Sequence, residues 1–174
     1  QAKTKLNLIT KKKIILVGAG NLRDSYKGFE HVLAALNKID KNILVLTFGS
    51  TTFEQNEIKQ EFIHFGNVDY SKLNLLYNCA DVFLGPSVAE AMGKTFLEAH
   101  LCGTPVVCFK QTGPADIVKH LDSGYLSNFK DTDDLVAGIN YCLSYDFKND
   151  EIRNLVIQDF SIENVAKKYI ELYE

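Results

Sequence analysis

Two carboxylates stand eight positions apart, on either side of a turn that opens a helix. Glu90 falls in the loop after an apolar run, and Glu98 lies about a turn and a half into the helix. Between them, the amides of Gly93, Lys94 and Thr95 are predicted to lie unpaired at the helix start, where backbone donors and the helix dipole favour an anion. This spacing suits a ligand with hydroxyls at both ends of a phosphate, such as a nucleotide-sugar.

A second candidate group follows the first predicted strand, in residues 18–28. Gly18 and Gly20 let the backbone approach a ligand closely, and Arg23 and Lys27 could supply positive charge to a diphosphate. The loop fails as a dinucleotide fingerprint because the third glycine is missing. The second strand also runs into Gly49-Ser50, without an acidic residue to hold a ribose. The pattern therefore disfavours a nicotinamide-dependent dehydrogenase.

Apolar runs alternate with helical patterns along the whole chain. This alternation predicts one α/β domain, a Rossmann-like doubly wound parallel sheet with helices on both faces. The predicted strands are residues 13–18, 43–48, 62–65, 81–84, 105–109 and 124–126. The predicted helices are a stripe from Phe29 to Ile39, a segment capped by Ser71, the segment that holds Glu98, one that starts at Asp131-Thr132, and the amphipathic tail 161–174.

A doubly wound sheet binds its ligand outside the carboxyl ends of the strands, at the switch point. The loops at residues 18–28, 49–56, 66–70, 86–93 and 109–114 all fall on that edge. The candidate site residues should therefore lie together.

Composition narrows the class of protein further. The chain has 174 residues, 46% hydrophobic and 24% charged, enough for one well-buried domain. A net charge of −3 disfavours a general nucleic-acid binder. No apolar run approaches the roughly 20 residues that span a bilayer, and no stretch resembles a signal peptide, so a cytoplasmic location is expected.

Neither the cysteines nor the histidines have metal-ligand spacing. The four cysteines are predicted to be small, reduced core residues, and each histidine is predicted to be structural. Asp131-Thr-Asp133 imitates a metal signature, but its place before an amphipathic stretch predicts a helix cap. No metal site is expected.

The order of residues around the two glutamates resembles a known family. Glu90-x7-Glu98, followed by Cys102-Gly103-Thr104-Pro105, is similar to the donor-binding half of family 4 glycosyltransferases, retaining enzymes in which two Rossmann-like domains face each other (the GT-B architecture). The resemblance implies that the chain is a C-terminal donor-binding domain without its N-terminal acceptor domain. Residues 1–12 would then be the interdomain approach segment, and 161–174 the C-terminal helix that packs back across the cleft.

The resemblance also implies roles for individual residues. Glu98 would accept hydrogen bonds from the ribose hydroxyls, and Glu90 would lie by the donor sugar near its anomeric centre. Arg23 and Lys27 would bind the diphosphate and stabilise the leaving group. The remaining donor contacts would come from backbone groups of the two glycines and of six further positions: Gly18, Gly20, Asn67, Val68, Met92, Gly93, Lys94 and Thr95.

Where the family more often has Gly-Phe-Gly, this chain has Ala91-Met92-Gly93. Met92 keeps a bulky side chain at the middle position, and the motif does not indicate which sugar the donor carries.

The implied reaction transfers a sugar from a UDP- or GDP-linked donor to an acceptor hydroxyl, with retention of configuration and without a required metal. Polysaccharide or lipopolysaccharide biosynthesis is the expected setting, with peripheral association of the full-length enzyme at the inner face of the plasma membrane. The chain alone is expected to bind donor weakly and to transfer little. Two alternatives stay open: half of a sugar-nucleotide epimerase, and a non-catalytic nucleotide-binding module.

Overall fold

Six strands form one parallel sheet in the computed structural model, which describes residues 1–54 and 56–173. They are β1 (Lys13–Gly18), β2 (Ile43–Phe48), β3 (Glu61–His64), β4 (Val82–Leu84), β5 (Val106–Phe109) and β6 (Gly124–Ser127). Their order across the sheet is β3-β2-β1-β4-β5-β6. The chain moves outward from β1 in one direction and then from β4 in the other, so the predicted Rossmann-like, doubly wound fold is confirmed.

Helices cover both faces of this sheet. The described residues form α1 (Ala2–Lys5), α2 (Phe29–Leu36), α3 (Tyr70–Cys79), α4 (Lys94–Leu101), α5 (Thr132–Ser144), α6 (Asn149–Phe160), α7 (Ile162–Tyr173) and a short 3-10 helix (Gly113–Asp116).

The central strand β1 explains the two-layer core. Its successive side chains point to opposite faces, so Ile15 and Val17 join one apolar cluster while Ile14 and Leu16 join another. All four are at most 1% exposed. A strand covered on both faces has no polar side, which is why β1 reads as an unbroken apolar run.

Each cluster is closed by its own set of helices. Phe29 of α2 and Leu135 of α5 pack on one face. Leu76 of α3, Phe96 of α4 and Val156 of α6 pack on the other. The amino-terminal segment belongs to this second face, because α1 contacts α3.

Several predicted boundaries differ from the structure. The prediction that Ser71 caps α3 is wrong: Asp69 is the cap, its carboxylate accepts from the Lys72 amide at 2.8 Å, and Ser71 lies inside the helix. An aspartate two residues earlier competes for the same amides and holds them with a charge. Ile39 lies beyond the end of α2, and β3 begins one residue earlier than predicted. The helices α1 and α6 are not among the predicted elements.

The last helix, α7, is amphipathic but buries little of its apolar side against the rest of the chain. It contacts α6, and none of its described residues is buried. Its exposed apolar side chains are Ile162, Tyr169, Ile170, Leu172 and Tyr173. Among the residues that the structure describes, no helix is long and apolar enough to cross a membrane.

The four cysteines are free and buried, which confirms the prediction of core thiols. Burial raises the pKa of Cys79 to about 11 and that of Cys142 to about 12. Burial also raises the pKa of Cys102 and of Cys108. All four side chains therefore act as small apolar groups.

Candidate functional site

The loops after β1 and β4 meet at the switch point of the sheet. There the Lys27 ammonium lies 2.6 Å from the Glu90 carboxylate, and both side chains are about four-fifths buried, with exposures of 20% and 18%. Two residues predicted as catalytic, 63 positions apart in the chain, are thus in direct contact. A cation and a carboxylate at this depth form a charged centre that a polar ligand could enter.

Backbone contacts between the two loops hold this pair in place. The Tyr26 carbonyl accepts from the Val88 amide at 2.9 Å and from the Ala89 amide at 3.4 Å. Gly28 has a φ of +69°, and a Cβ there would stand 1.9 Å from the Pro86 carbonyl oxygen. Only glycine permits both that φ and that approach, so Gly28 fixes the distance between the loops.

A third segment supports the Glu90 loop from the other side. The Gly113 amide donates to the Glu90 carbonyl at 2.9 Å, and a Cβ on Gly113 would lie 1.9 Å from the Ala91 carbonyl oxygen. Gly113 is not among the site residues predicted from the sequence. The sequence shows the Gly-Pro turn that Gly113 begins, but the loop that this turn contacts lies more than twenty residues earlier in the chain.

The start of α4 presents backbone donors beside this pair. Gly93 precedes the helix in the left-handed conformation (φ +81°), and no side chain caps the helix. Within residues 1–54 and 56–173, the amides of Met92, Gly93, Lys94 and Thr95 make no hydrogen bond. Unpaired amides at the positive end of a helix dipole favour an anion, as the sequence predicts for this segment.

The two glycines after β1 differ in role. Gly18 is buried, and a Cβ there would meet the Phe48 ring at 2.1 Å, so close packing requires glycine. It lines a small cavity of about 10 Å³ together with Lys27 and Thr95. Gly20 is exposed with open space around it, and its carbonyl accepts from the Ser50 amide and hydroxyl, each at 2.8 Å.

Arg23 is not in contact with the Lys27–Glu90 pair. Its guanidinium lies 2.7 Å from the Glu57 carboxylate, donates to the Thr52 carbonyl at 3.0 Å, and stands 5.4 Å from the centre of the Phe29 ring. These partners belong to the loop after β2 and to α2. The structure thus places Arg23 beside the site, paired with another carboxylate.

Asn67 and Val68 follow β3 on the same edge of the sheet. Asn67 is exposed, whereas Val68 is half-buried against the second apolar cluster. Asn67 lies at the end of a groove of about 620 Å³, whose other walls are the loop after β2 and the outer side chains of β3. The groove opens towards solvent at the carboxyl ends of the strands.

Glu98 lies half-buried on α4, facing α3. The Tyr77 hydroxyl donates to its Oε2 at 3.1 Å. Burial, and then the charge of Glu98, raise the pKa of Tyr77, so the phenol stays protonated and acts as the donor. Both residues line a groove of about 230 Å³ between the two helices. Tyr77 is not among the site residues predicted from the sequence.

His100, two residues further along α4, is structural. It is fully buried, and its Nε2 donates to the Ser123 carbonyl at 2.9 Å. Burial lowers its pKa to about 4, which keeps the ring neutral.

Asp131 is the helix cap that the sequence predicts. Its carboxylate accepts from the Asp133 and Asp134 amides at 3.0 Å each, which begins α5. In the part of the chain that the structure describes, no three histidine, cysteine, aspartate or glutamate side chains cluster as metal ligands would.

Known proteins are similar to this chain in sequence and in fold. A family model described as Glycosyl transferases group 1 matches residues 1–159. An uncharacterized glycosyltransferase of Methanocaldococcus jannaschii is 31% identical over 178 residues, covering 94% of this chain and 45% of that relative. Sucrose-phosphate synthase of Thermosynechococcus elongatus aligns with a TM-score of 0.78 at 24% identity, over 99% of this chain and 47% of that one.

The Anabaena protein HepE, solved in complex with UDP-glucose, aligns with a TM-score of 0.79 at 17% identity, over 98% of this chain and 50% of that one. The chain thus spans about half the length of these relatives. A family match over residues 1–159 and a 31% identical relative across nearly the whole chain carry the assignment. The predicted family is confirmed: the chain belongs to the group 1 glycosyl transferases, whose GT-B members share its fold.

Proposed function

We propose that this chain binds a UDP- or GDP-linked sugar at the switch point of its sheet. In the full-length enzyme, the sugar would pass to an acceptor hydroxyl with retention of anomeric configuration. One observation carries this proposal: the largely buried Lys27–Glu90 pair lies beside the unpaired amides at the start of α4. A cation and free amides suit a diphosphate, and a neighbouring carboxylate suits the hydroxyls of a sugar.

In this proposal, the leaving diphosphate is stabilised by groups of the protein and needs no metal. Lys27 supplies a full charge and the amides of Gly93, Lys94 and Thr95 supply preorganised donors. A donor of this kind is worth about 3 kcal/mol of a reaction barrier. Arg23 would join them only after leaving Glu57, with which its guanidinium is paired in the structure.

The base and ribose are proposed to lie between the loop after β3 and α4. The backbone of Asn67 and Val68 would pair with the base edge, and Glu98 would accept from the ribose hydroxyls. Support comes from the placement of Val68 and Glu98: Val68 packs against the apolar cluster that α3 and α4 cover, and Glu98 lies on α4 facing α3.

The acceptor is proposed to bind a further, N-terminal domain. The exposed apolar side of α7 supports this idea, because it would be covered if α7 packed back across a cleft between two domains. HepE binds UDP-glucose, which makes UDP-linked sugars the first donors to test. Polysaccharide or lipopolysaccharide assembly, in the cytoplasm where such donors are made, is the proposed setting.

A titration of nucleoside diphosphates tests the proposal. UDP, GDP and ADP are titrated calorimetrically against the chain, with EDTA and with magnesium, and then the corresponding nucleotide-sugars. We expect one nucleotide to bind in EDTA and Lys27→Met to weaken that binding at least tenfold. Lys12→Met, which removes a lysine whose partner Glu61 starts β3, is the matched control. Equal affinities for the native chain and Lys27→Met would refute the proposed site.

A further inference from the structure

We propose that Tyr77 is a positioning residue: it holds one oxygen of the Glu98 carboxylate so that the other faces the ribose hydroxyls. This inference rests on the proposed function, in which Glu98 binds the ribose. Tyr77 would touch neither the donor nor the reacting atoms. It would act only through the orientation of Glu98.

The ring of Tyr77 is immobilised from two sides. It is 1% exposed, and the Phe48 and Phe83 rings pack on it edge to face, at centroid distances of 6.1 and 5.6 Å. The backbone at this position is held as well, since the Tyr77 carbonyl accepts from the Thr104 hydroxyl at 2.7 Å. The hydroxyl at the tip of the ring therefore stands at a fixed point.

Packing alone does not call for a hydroxyl at this point. A phenylalanine would fill the same apolar space, and a buried hydroxyl without a partner would be unfavourable. Glu98 is the partner, at 3.1 Å, and the two residues come from different helices. A hydroxyl placed in a buried aromatic cluster and directed at one carboxylate is best explained by what it does to that carboxylate.

Within the described residues, Tyr77 is the one side chain that donates to Glu98. Asn74 lines the same groove, but its amide points to the Cys102 sulfur at 3.6 Å. A carboxylate has two oxygens and about four acceptor positions, and Tyr77 occupies one of them at Oε2. Oε1 is left to accept from a ligand, in a plane that the Tyr77 hydroxyl helps to set.

A carboxylate held in this way should distinguish nucleotides by their ribose hydroxyls. A site that is built to accept a hydroxyl rejects the analogue that lacks it, and does so best when the acceptor cannot turn away. If Glu98 were free to rotate, it would turn to solvent when the ligand lacks the ribose hydroxyl, and the deoxy ligand would lose less affinity.

The test compares ribose and deoxyribose ligands on the same variant. Calorimetry gives the Kd of UDP, 2′-deoxy-UDP and 3′-deoxy-UDP, or of the guanine series if GDP is the nucleotide that binds. For the native chain we expect at least one deoxy form to bind about tenfold or more weakly than its ribose parent. For Tyr77→Phe we expect that ratio to fall to about threefold or less. The ratio is independent of the fraction of folded protein, so a loss of stability alone does not change it.

Tyr125→Phe is the matched control, because it also removes a hydroxyl that donates to a carboxylate, that of Asp134 at 2.7 Å, away from the candidate site. It should keep the native ratio. Tyr77→Met, which also lacks a hydroxyl, replaces Tyr77→Phe if the latter does not fold.

The outcomes separate the two proposals. If Tyr77→Phe or Tyr77→Met kept the native ratio between the Kd values of the deoxy and ribose ligands, the inference would be overturned and the proposed function would stay intact. A native chain that binds a nucleotide but ignores its ribose hydroxyls would overturn the role of Glu98 itself, and the inference with it.

Discussion

Glu90→Gln should make the chain bind a free nucleoside diphosphate more tightly, although Glu90 belongs to the proposed site. Lys27 is paired with Glu90 in the structure, so a diphosphate must compete with that carboxylate for the ammonium. Removing the negative charge frees Lys27 and also removes a repulsion from the phosphates. Transfer of the sugar by the full-length enzyme should be lost in the same variant.

The size of the effect follows from the geometry of the pair. Two unit charges 2.6 Å apart attract by about 6 kcal/mol at an effective dielectric constant of about 20. Removing two largely buried ions from water offsets most of this attraction, which leaves about 1–2 kcal/mol of net coupling. The Kd of UDP or GDP should therefore fall about five- to thirtyfold.

Isothermal titration calorimetry at one fixed ionic strength measures this change. Glu61→Gln is the control, because it removes the same charge from a surface pair, with Lys12 at 2.8 Å, at the opposite edge of the sheet. It should leave the Kd within a factor of two. A Glu90→Gln variant that binds the diphosphate as weakly as the Lys27→Met variant would refute the reasoning, since Glu90 would then assist Lys27 instead of competing for it.

Three further predictions concern backbone geometry, pH and the helix cap. In urea titrations, Gly93→Ala should lower the free energy of unfolding by about 2–4 kcal/mol, because φ is +81° and the new Cβ would lie 2.4 Å from the Phe96 ring; nucleotide binding should weaken as well. Gly20 has open space around it, so Gly20→Ala should change the free energy of unfolding by less than about 0.5 kcal/mol. Burial lowers the pKa of His100 from 6.5 to about 4, so the unfolded state takes up a proton first as pH falls. The contribution of His100 to the free energy of unfolding is fully present above pH 6.5 and falls by about 3 kcal/mol towards pH 4. Urea titrations of His100→Asn should not show this decline. Asp131→Ala should cost about 1 kcal/mol by removing the cap of α5, and calorimetry should find the nucleotide Kd unchanged with or without magnesium.

Each of these has an outcome that would contradict it. Equal stabilities of the two glycine variants would show that the turn before α4 relaxes freely. If the free energy of unfolding of His100→Asn fell with pH as steeply as that of the native chain, the decline would belong to other groups. His31 is the first of these, since burial lowers its pKa too. If magnesium changed the nucleotide Kd of the native chain but not that of Asp131→Ala, Asp131 would act as a metal ligand in addition to capping α5.

The sequence was sufficient to predict the sheet and to place the loops that carry Lys27 and Glu90 at one edge of it. Strands such as β1 are unbroken apolar runs, and a parallel, doubly wound sheet brings the loops after β1 and β4 together whatever their details. That is why Lys27 and Glu90 could be placed near each other. Their direct pairing could not be predicted, because it depends on loop conformations set by the Gly28 and Gly113 contacts.

Two of the misses have a common physical cause: the deciding partner is remote in the chain. Tyr77 looks like one more apolar position of α3 until Glu98, 21 residues further on, takes its hydroxyl. Arg23 lies close in sequence to Lys27, yet it pairs with Glu57, 34 residues away. The helix α6 is a miss of another kind, because Ile152, Leu155 and Val156 do have helical spacing and no helix was predicted from them.

The burial of every cysteine makes this chain suited to labelling experiments. Maleimides react with thiolates that they can reach, and here the thiols are covered and their pKa values are raised. A single cysteine introduced at an exposed position, such as Ala89→Cys next to Glu90, would carry a fluorophore without prior removal of the native thiols. The arrival of a ligand at the switch point could then be followed in real time, by stopped-flow fluorescence, in an otherwise unaltered protein.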